Sequence, residues 1–216
     1  MTMIRDMEVK CSICGKVSSQ PVLLSTNTSG WSDLDLRPAE MKRSTMNTWV
    51  LECPHCGYVA GNLEDDCGIS KDFLESERYL ACDGLEFKGR LSPRFYKLHM
   101  IMDELGDAEG CFYNLLHCAW DCDDKGDAEN AAKVRKLAID YIEKLIPEKD
   151  DVEKNNLILM KADLLRRSGQ FKRVVEEYEK LFLGDGLLDA VITFQIQKAN
   201  RSDTGCYTVE DVIKTF

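Results

Sequence analysis

Apolar residues are spaced in two different ways along this chain, and the spacing changes near residue 62. Before that point, short β-prone runs stand at Val22-Leu23-Leu24 and Trp49-Val50-Leu51. A cluster of turn formers, Ser25-Thr26-Asn27-Thr28-Ser29-Gly30, lies between them. From Lys71 onward, apolar residues recur at the spacing of amphipathic helices. The pattern predicts helices over about 72–82, 93–105, 108–123, 127–145, 152–168, 171–183 and 186–198, with a short one over 208–214. Breaks fall at Gly84, Gly106, Gly126, Pro147, Gly169 and Gly184, and Ser92-Pro93 reads as a helix start. The fold class this implies is mostly α: a small β ribbon over residues 1–61, then an antiparallel helical domain over 62–216.

A repeat lies inside the helical part. Leu105-Gly106-Asp107-Ala108-Glu109 is echoed by Lys125-Gly126-Asp127-Ala128-Glu129, and Ser168-Gly169-Gln170-Phe171 occupies an equivalent corner. Ala119, Gly126 and Ala131 match Ala162, Gly169 and Val174 at the same offsets. Small residues on both sides of a tight corner let two antiparallel helices approach closely, which is the tetratricopeptide logic. The corners at Gly126 and Gly169 are 43 positions apart, longer than the ~34 of that repeat. The expected array is therefore tetratricopeptide-like but degenerate, with an irregular helical bundle as its rival.

Composition changes this picture little. Hydrophobic residues at 44% and charged residues at 31% suit a globular protein. No run approaches the ~18 apolar residues of a membrane span, and the N-terminal residues contain no apolar signal core. The expected location is cytoplasmic, where thiols stay reduced and ten cysteines read as ligands or core residues, not disulfides. The net charge of −10 lies wholly beyond residue 61, because the ribbon is balanced. Neither part has the basic stripe of a nucleic-acid binder, so no nucleic-acid or membrane partner is expected.

The strongest signal is a pair of knuckles, Cys11-Ser12-Ile13-Cys14-Gly15-Lys16 and Cys53-Pro54-His55-Cys56-Gly57-Tyr58. Two residues between cysteines let both sulfurs face one ion. Glycine after the second cysteine admits the left-handed backbone that aims N–H groups at the thiolates. Cys11, Cys14, Cys53 and Cys56 are thus expected to hold one structural zinc in a closed tetrahedral shell. Iron in the same four-sulfur shell is the chemical alternative. A redox pair would need a single CxxC opening a helix, and His55 inside its knuckle is superfluous as a ligand.

Cys111, Cys118 and Cys122 share a helix face and read as core, while Cys206 reads as an exposed thiol. Asp33 and Asp35, in Ser32-Asp33-Leu34-Asp35-Leu36-Arg37-Pro38, are expected to be solvated or turn-forming. His99 reads as a packing residue. No phosphate-binding loop, nucleophile elbow or other catalytic motif is present.

Together, the CxxCGK knuckle, Leu36-Arg37-Pro38, Trp49-Val50 leading into the second knuckle, and Ala162-Asp163-Leu164-Leu165-Arg166-Arg167-Ser168-Gly169 resemble a bacterial family catalogued as a domain of unknown function. Its members resemble zinc-ribbon proteins with a tetratricopeptide-like tail. The resemblance implies a bacterial cytoplasmic protein and carries over the same four cysteines as ligands; it implies no activity.

The functional expectation is a protein- or peptide-binding adaptor, since stacked helix pairs present a concave surface. An enzyme with a site at the ribbon–helix junction is the alternative, and a transcription-associated ribbon a weaker third. On the repeat pattern, the groove would carry Tyr113, Leu116 and Trp120 on one helix. Asn156, Leu159, Asp163, Arg166 and Arg167 would lie on the next. The arginines would hold a peptide carboxylate and the aromatics would supply apolar contact; the rival reading makes Trp120 a core residue and has Arg166 and Arg167 cap the last turn of their helix, offsetting its dipole.

Overall fold

A computed structural model describes residues 1–215. The chain begins with an antiparallel hairpin, β1 (Met3–Lys10) and β2 (Val17–Ser25), whose turn is the first cysteine knuckle. This ribbon is longer than the run at 22–24 predicts. Its residues are mostly exposed and alternate weakly, so periodicity conceals it. Two short pairs follow. The first is β3 (Thr28–Ser29) with β4 (Glu40–Met41), and the second is β5 (Leu51–Glu52) with β6 (Val59–Ala60), which frames the second knuckle. Trp49 is not in a strand. It closes a 3₁₀ turn over Arg43–Thr48.

The predicted helix over 72–82 is two short ones, α1 (Lys71–Leu74) and α2 (Glu77–Leu80), followed by a 3₁₀ turn. The break is local chemistry: the Ser76 side chain accepts the Tyr79 backbone N–H, as an N-cap does, and so starts a new helix. The longer helices are α3 (Ser92–Glu104), α4 (Ala108–Asp124), α5 (Ala128–Leu145), α6 (Asp151–Arg167), α7 (Phe171–Tyr178), α8 (Gly186–Asn200) and α9 (Val209–Ile213). They lie near their predicted ranges, except that α7 ends well before 183.

The three equivalent corners are built alike. After α3, Gly106 and Asp107 donate to the Asp103 and Met102 carbonyls. After α4, Gly126 and Asp127 donate to Asp123 and Cys122; after α6, Gly169 and Gln170 donate to Arg166 and Leu165. Each is a Schellman closure, which satisfies carbonyls the helix leaves open and turns the chain back sharply. Ala119, Ala131, Ala162 and Val174 are buried where adjacent helices meet. The molecule is thus mostly α, with small antiparallel hairpins ahead of the helices.

One apolar core runs through both parts, from Val9, Val50 and Leu63 to Phe112, Ile142, Phe194 and Val212. Cys111, Cys118 and Cys122 are buried in it. Among the described residues, no helix is long and apolar enough to cross a membrane.

Asp33 and Asp35 are where the sequence reading fails most clearly. Both are buried, Asp35 with 0% exposure, and so is Arg37. The loop carrying them lies across α4 and α6. Asp35 accepts from Trp120 Nε1 at 2.7 Å and from Arg167 at 3.2 Å. Arg37 makes a two-pronged pair with Asp124, at 3.0 and 2.5 Å. Asp33 pairs with Arg43 at 2.6 Å, and its backbone bridges to Thr208 near the C-terminus. Local propensity cannot show that partners from α4, α6 and the C-terminal segment, with the nearby Arg43, replace water around these charges.

Candidate metal centre and the adjoining cleft

The two knuckles are near copies in backbone. Cys11 N–H donates to the Lys16 carbonyl at 2.9 Å, and Gly15 N–H to Cys11 at 2.8 Å. Cys53 N–H donates to Tyr58 at 2.8 Å, and Gly57 N–H to Cys53 at 3.0 Å. Gly15 and Gly57 have φ of 70° and 72°, the left-handed conformation in which a Cβ is penalised. Each knuckle is then tied to the segment that follows. Ser12 N–H donates to Leu63, and the Tyr79 hydroxyl donates to the Gly57 carbonyl at 2.7 Å.

Folding brings Cys11, Cys14, Cys53 and Cys56 into one cluster, with every sulfur within 4.8 Å of the others. The Cys11–Cys56 and Cys14–Cys53 sulfurs are each 3.7 Å apart. Four metal–thiolate bonds of about 2.3 Å at tetrahedral angles require sulfurs about 3.8 Å apart. A disulfide would need about 2.05 Å. The cluster therefore fits a tetrahedral four-sulfur ion. Electrostatics agree. Burial pushes the Cys11 and Cys56 thiols up. Burial also opposes the Cys14 thiolate, but the Lys16 N–H and neighbouring sulfurs outweigh it and draw that thiol down. Four crowded thiolates need a cation to neutralise them. His55 is exposed, with Nε2 3.4 Å from the Val17 carbonyl, and is not in the cluster.

A cleft of about 440 Å³ opens where the loop over 35–38 and the 3₁₀ turn closed by Trp49 meet α4. Its walls are aromatic. Trp49 stands edge-on to His117 at 5.3 Å, and Trp120 lies 4.9 Å from the same imidazole. Trp49 is fixed by its Nε1 hydrogen bond to Thr45 at 2.9 Å. Burial and the nearby Arg37 charge push His117 down to about 4, so the imidazole is neutral at pH 7. Leu36, Tyr113 and Met160 continue into a neighbouring hollow of about 200 Å³, lined also by Asn156. Leu36 is held at φ 62°, unusual for a bulky residue, with 46% of its surface exposed at this junction.

The residues expected to form a groove divide into two groups. Tyr113, 37% exposed, and Asn156 line the hollow, and Trp120 forms the inner wall of the cleft though only 3% exposed. Arg166 and Arg167 are elsewhere. Arg166, 0% exposed, is saturated by Asp163, Gln195 and the Asp203 carbonyl. Arg167 is buried between Asp35 and Asp123, and Arg135 also grips Asp123. Asp163, three and four positions earlier on the same helix, is a partner the sequence does show, but Asp35, Asp123, Gln195 and the Asp203 carbonyl come from other segments, and only folding gathers them around these arginines. Sequence reasoning missed Trp49, His117 and Leu36 as cleft residues, because the local pattern around each is that of strand, helix or loop.

Cys206 is an exposed thiol with Sγ 3.3 Å from Asp33. His99 is buried between Tyr96 and Tyr141, and burial pushes it down to about 4.

Comparison with protein-family models, with curated proteins and with solved structures returns no match. The resemblance to the bacterial family rests on the motif residues alone.

Proposed function

We propose that the four-cysteine cluster binds one structural zinc, and that the protein is an adaptor whose tetratricopeptide-like helices hold a protein or peptide segment in the cleft between Trp49 and α4. Zinc suits a closed thiolate shell in a part of the chain whose one long hairpin is largely exposed and whose other strands are two residues each. The ion would hold the knuckles together, with no coordination position left for substrate.

The observation that carries the adaptor reading is the shared wall of the cleft. Trp49 comes from the chain entering the second knuckle, whereas Tyr113, His117 and Trp120 come from α4. Aromatic side chains with little rotamer freedom, set around an open hollow, are what anchors a partner's apolar side chain. The buried Asp35 and Arg37 contacts fix that wall in place.

Display of random peptides, panned on zinc-loaded protein, tests the reading. Enriched peptides should bind wild type in solution and lose at least tenfold affinity to Trp49→Ala and to Tyr113→Ala. Failure to enrich, or enrichment indifferent to both substitutions, would sink it. Metal analysis should return one zinc per chain; stoichiometric iron would replace that part of the proposal. Nucleic acid is not the proposed partner, and a gel shift persisting at ~200 mM salt would contradict this.

A further inference from the structure

The cleft and the hollow form one continuous trough, because Leu36, Tyr113 and Met160 border both. Its two ends differ in charge. At the cleft end, Lys42 stands exposed at the mouth and makes no ion pair among the described residues, although the structure pairs most of its neighbours. Asp35, the carboxylate in the floor there, is balanced within a network in which Arg135, Arg166 and Arg167 face Asp35, Asp123 and Asp163. Arg37 lies beneath, 5.7 Å from the Trp120 ring, and its charge is felt by His117. The opposite end is acidic. Glu109 and Glu153 share the single ammonium of Lys149, at 2.7 and 3.6 Å, which leaves an excess negative charge. Both carboxylates act on the Tyr113 hydroxyl, which burial and these charges push up. Between the ends lie the aromatic walls and the exposed Leu36 side chain.

We infer that this trough takes an extended peptide segment of fixed polarity: an acidic residue at Lys42, an aromatic or leucine side chain between Trp49 and Tyr113, and a basic residue at Glu109 and Glu153. This rests on the adaptor reading and adds the chemistry of the partner. The argument is complementarity. An unpaired ammonium and a carboxylate pair with excess charge are each improved by an opposite charge, and rim charges of this kind select partners by sign. The apolar middle supplies affinity that is indifferent to sign. The ends are exposed, so each contact contributes modestly and the order of charges decides specificity.

Three fluorescently labelled synthetic peptides sharing a central Phe-Leu pair provide the test. One is flanked by aspartates on one side and lysines on the other, one by aspartates on both sides, and one by lysines on both. Anisotropy titration of the zinc-loaded protein at low salt should rank the mixed peptide tightest, by about three- to tenfold, and the gap should shrink with added salt. Lys42→Glu should transfer the preference to the lysine–lysine peptide. Glu109→Lys with Glu153→Lys should transfer it to the aspartate–aspartate peptide. These side chains are at the surface, and circular dichroism checks that each variant folds. If all three peptides bind equally and neither variant reorders them, the polarity is wrong while the adaptor reading stands. If none binds at ~100 μM, a weak limit for a peptide groove, both are overturned.

Discussion

The cysteine knuckles and the Asp33–Arg37 loop are both ways of fixing the N-terminal part of the chain, and they do it by opposite means. The knuckles are local. Each is a six-residue turn whose hydrogen bonds close on themselves, and together they bring four thiols into one cluster that could hold a metal ion. The loop is non-local, and its carboxylates and guanidinium are held by α4, α6 and the C-terminal segment with no metal. A cluster of like groups needs an external cation. A loop of mixed charges can be neutralised by the chain itself, provided folding delivers every partner at once. The first device should fail by losing its ion, and the second by losing any one partner.

The largest effect should come from the metal. Cys53→Ala, or removal of the ion by a strong chelator, should abolish stoichiometric zinc and loosen residues 1–61, since structural zinc contributes on the order of 10 kcal/mol in such sites. Far-UV circular dichroism should keep most of its helical signal, because the corners after α3, α4 and α6 close by their own backbone bonds. Collapse of that signal would show that the knuckles and the helices form one unit, erasing the contrast.

Arg167→Met comes next. It removes a partner from Asp35, Asp123 and Asp163 together and leaves buried carboxylates short of charge. Urea unfolding should show a loss of about 3–5 kcal/mol with the zinc content unchanged. A loss below ~1 kcal/mol would place these charges in the inconsequential class of exposed pairs.

Acid acts at a third place, outside both devices, where His99 packs between Tyr96 and Tyr141. Burial holds His99 neutral, at about 4 in the folded chain, against about 6.5 when unfolded. Between these values the unfolded state binds the extra proton, so stability is complete above pH 6.5 and falls as pH drops toward 4. The loss from this residue approaches about 3 kcal/mol at the low end. His99→Phe should flatten that part of the pH profile measured by thermal melting. An unchanged slope would assign the acid sensitivity to thiol protonation and metal release instead.

The smallest effect sharpens the comparison at the point where the knuckle meets the helices. Tyr79→Phe deletes the hydroxyl bonded to the Gly57 carbonyl and should cost about 1 kcal/mol. Hydrogen exchange should quicken around 53–58 and not at 33–37. Equal quickening at both would mean the two devices are coupled.

The sequence by itself determined what depends on near neighbours. CxxCG spacing dictates a knuckle, because a left-handed glycine and two sulfurs on one turn are local geometry. Three-to-four periodicity with glycine and proline breaks placed α3–α6 and α8 within a few residues, since a helix is stabilised by its own backbone bonds and one apolar stripe. Only the tertiary structure decided what depends on distant partners. It buried Asp33, Asp35 and Arg37, gave Arg166 and Arg167 to the interior, and set Trp49 against His117. A charge's preference for water or interior is decided by the partners waiting there. For Asp35 and Arg37 those partners, Trp120, Arg167 and Asp124, are brought from more than eighty residues away by packing that no local pattern encodes.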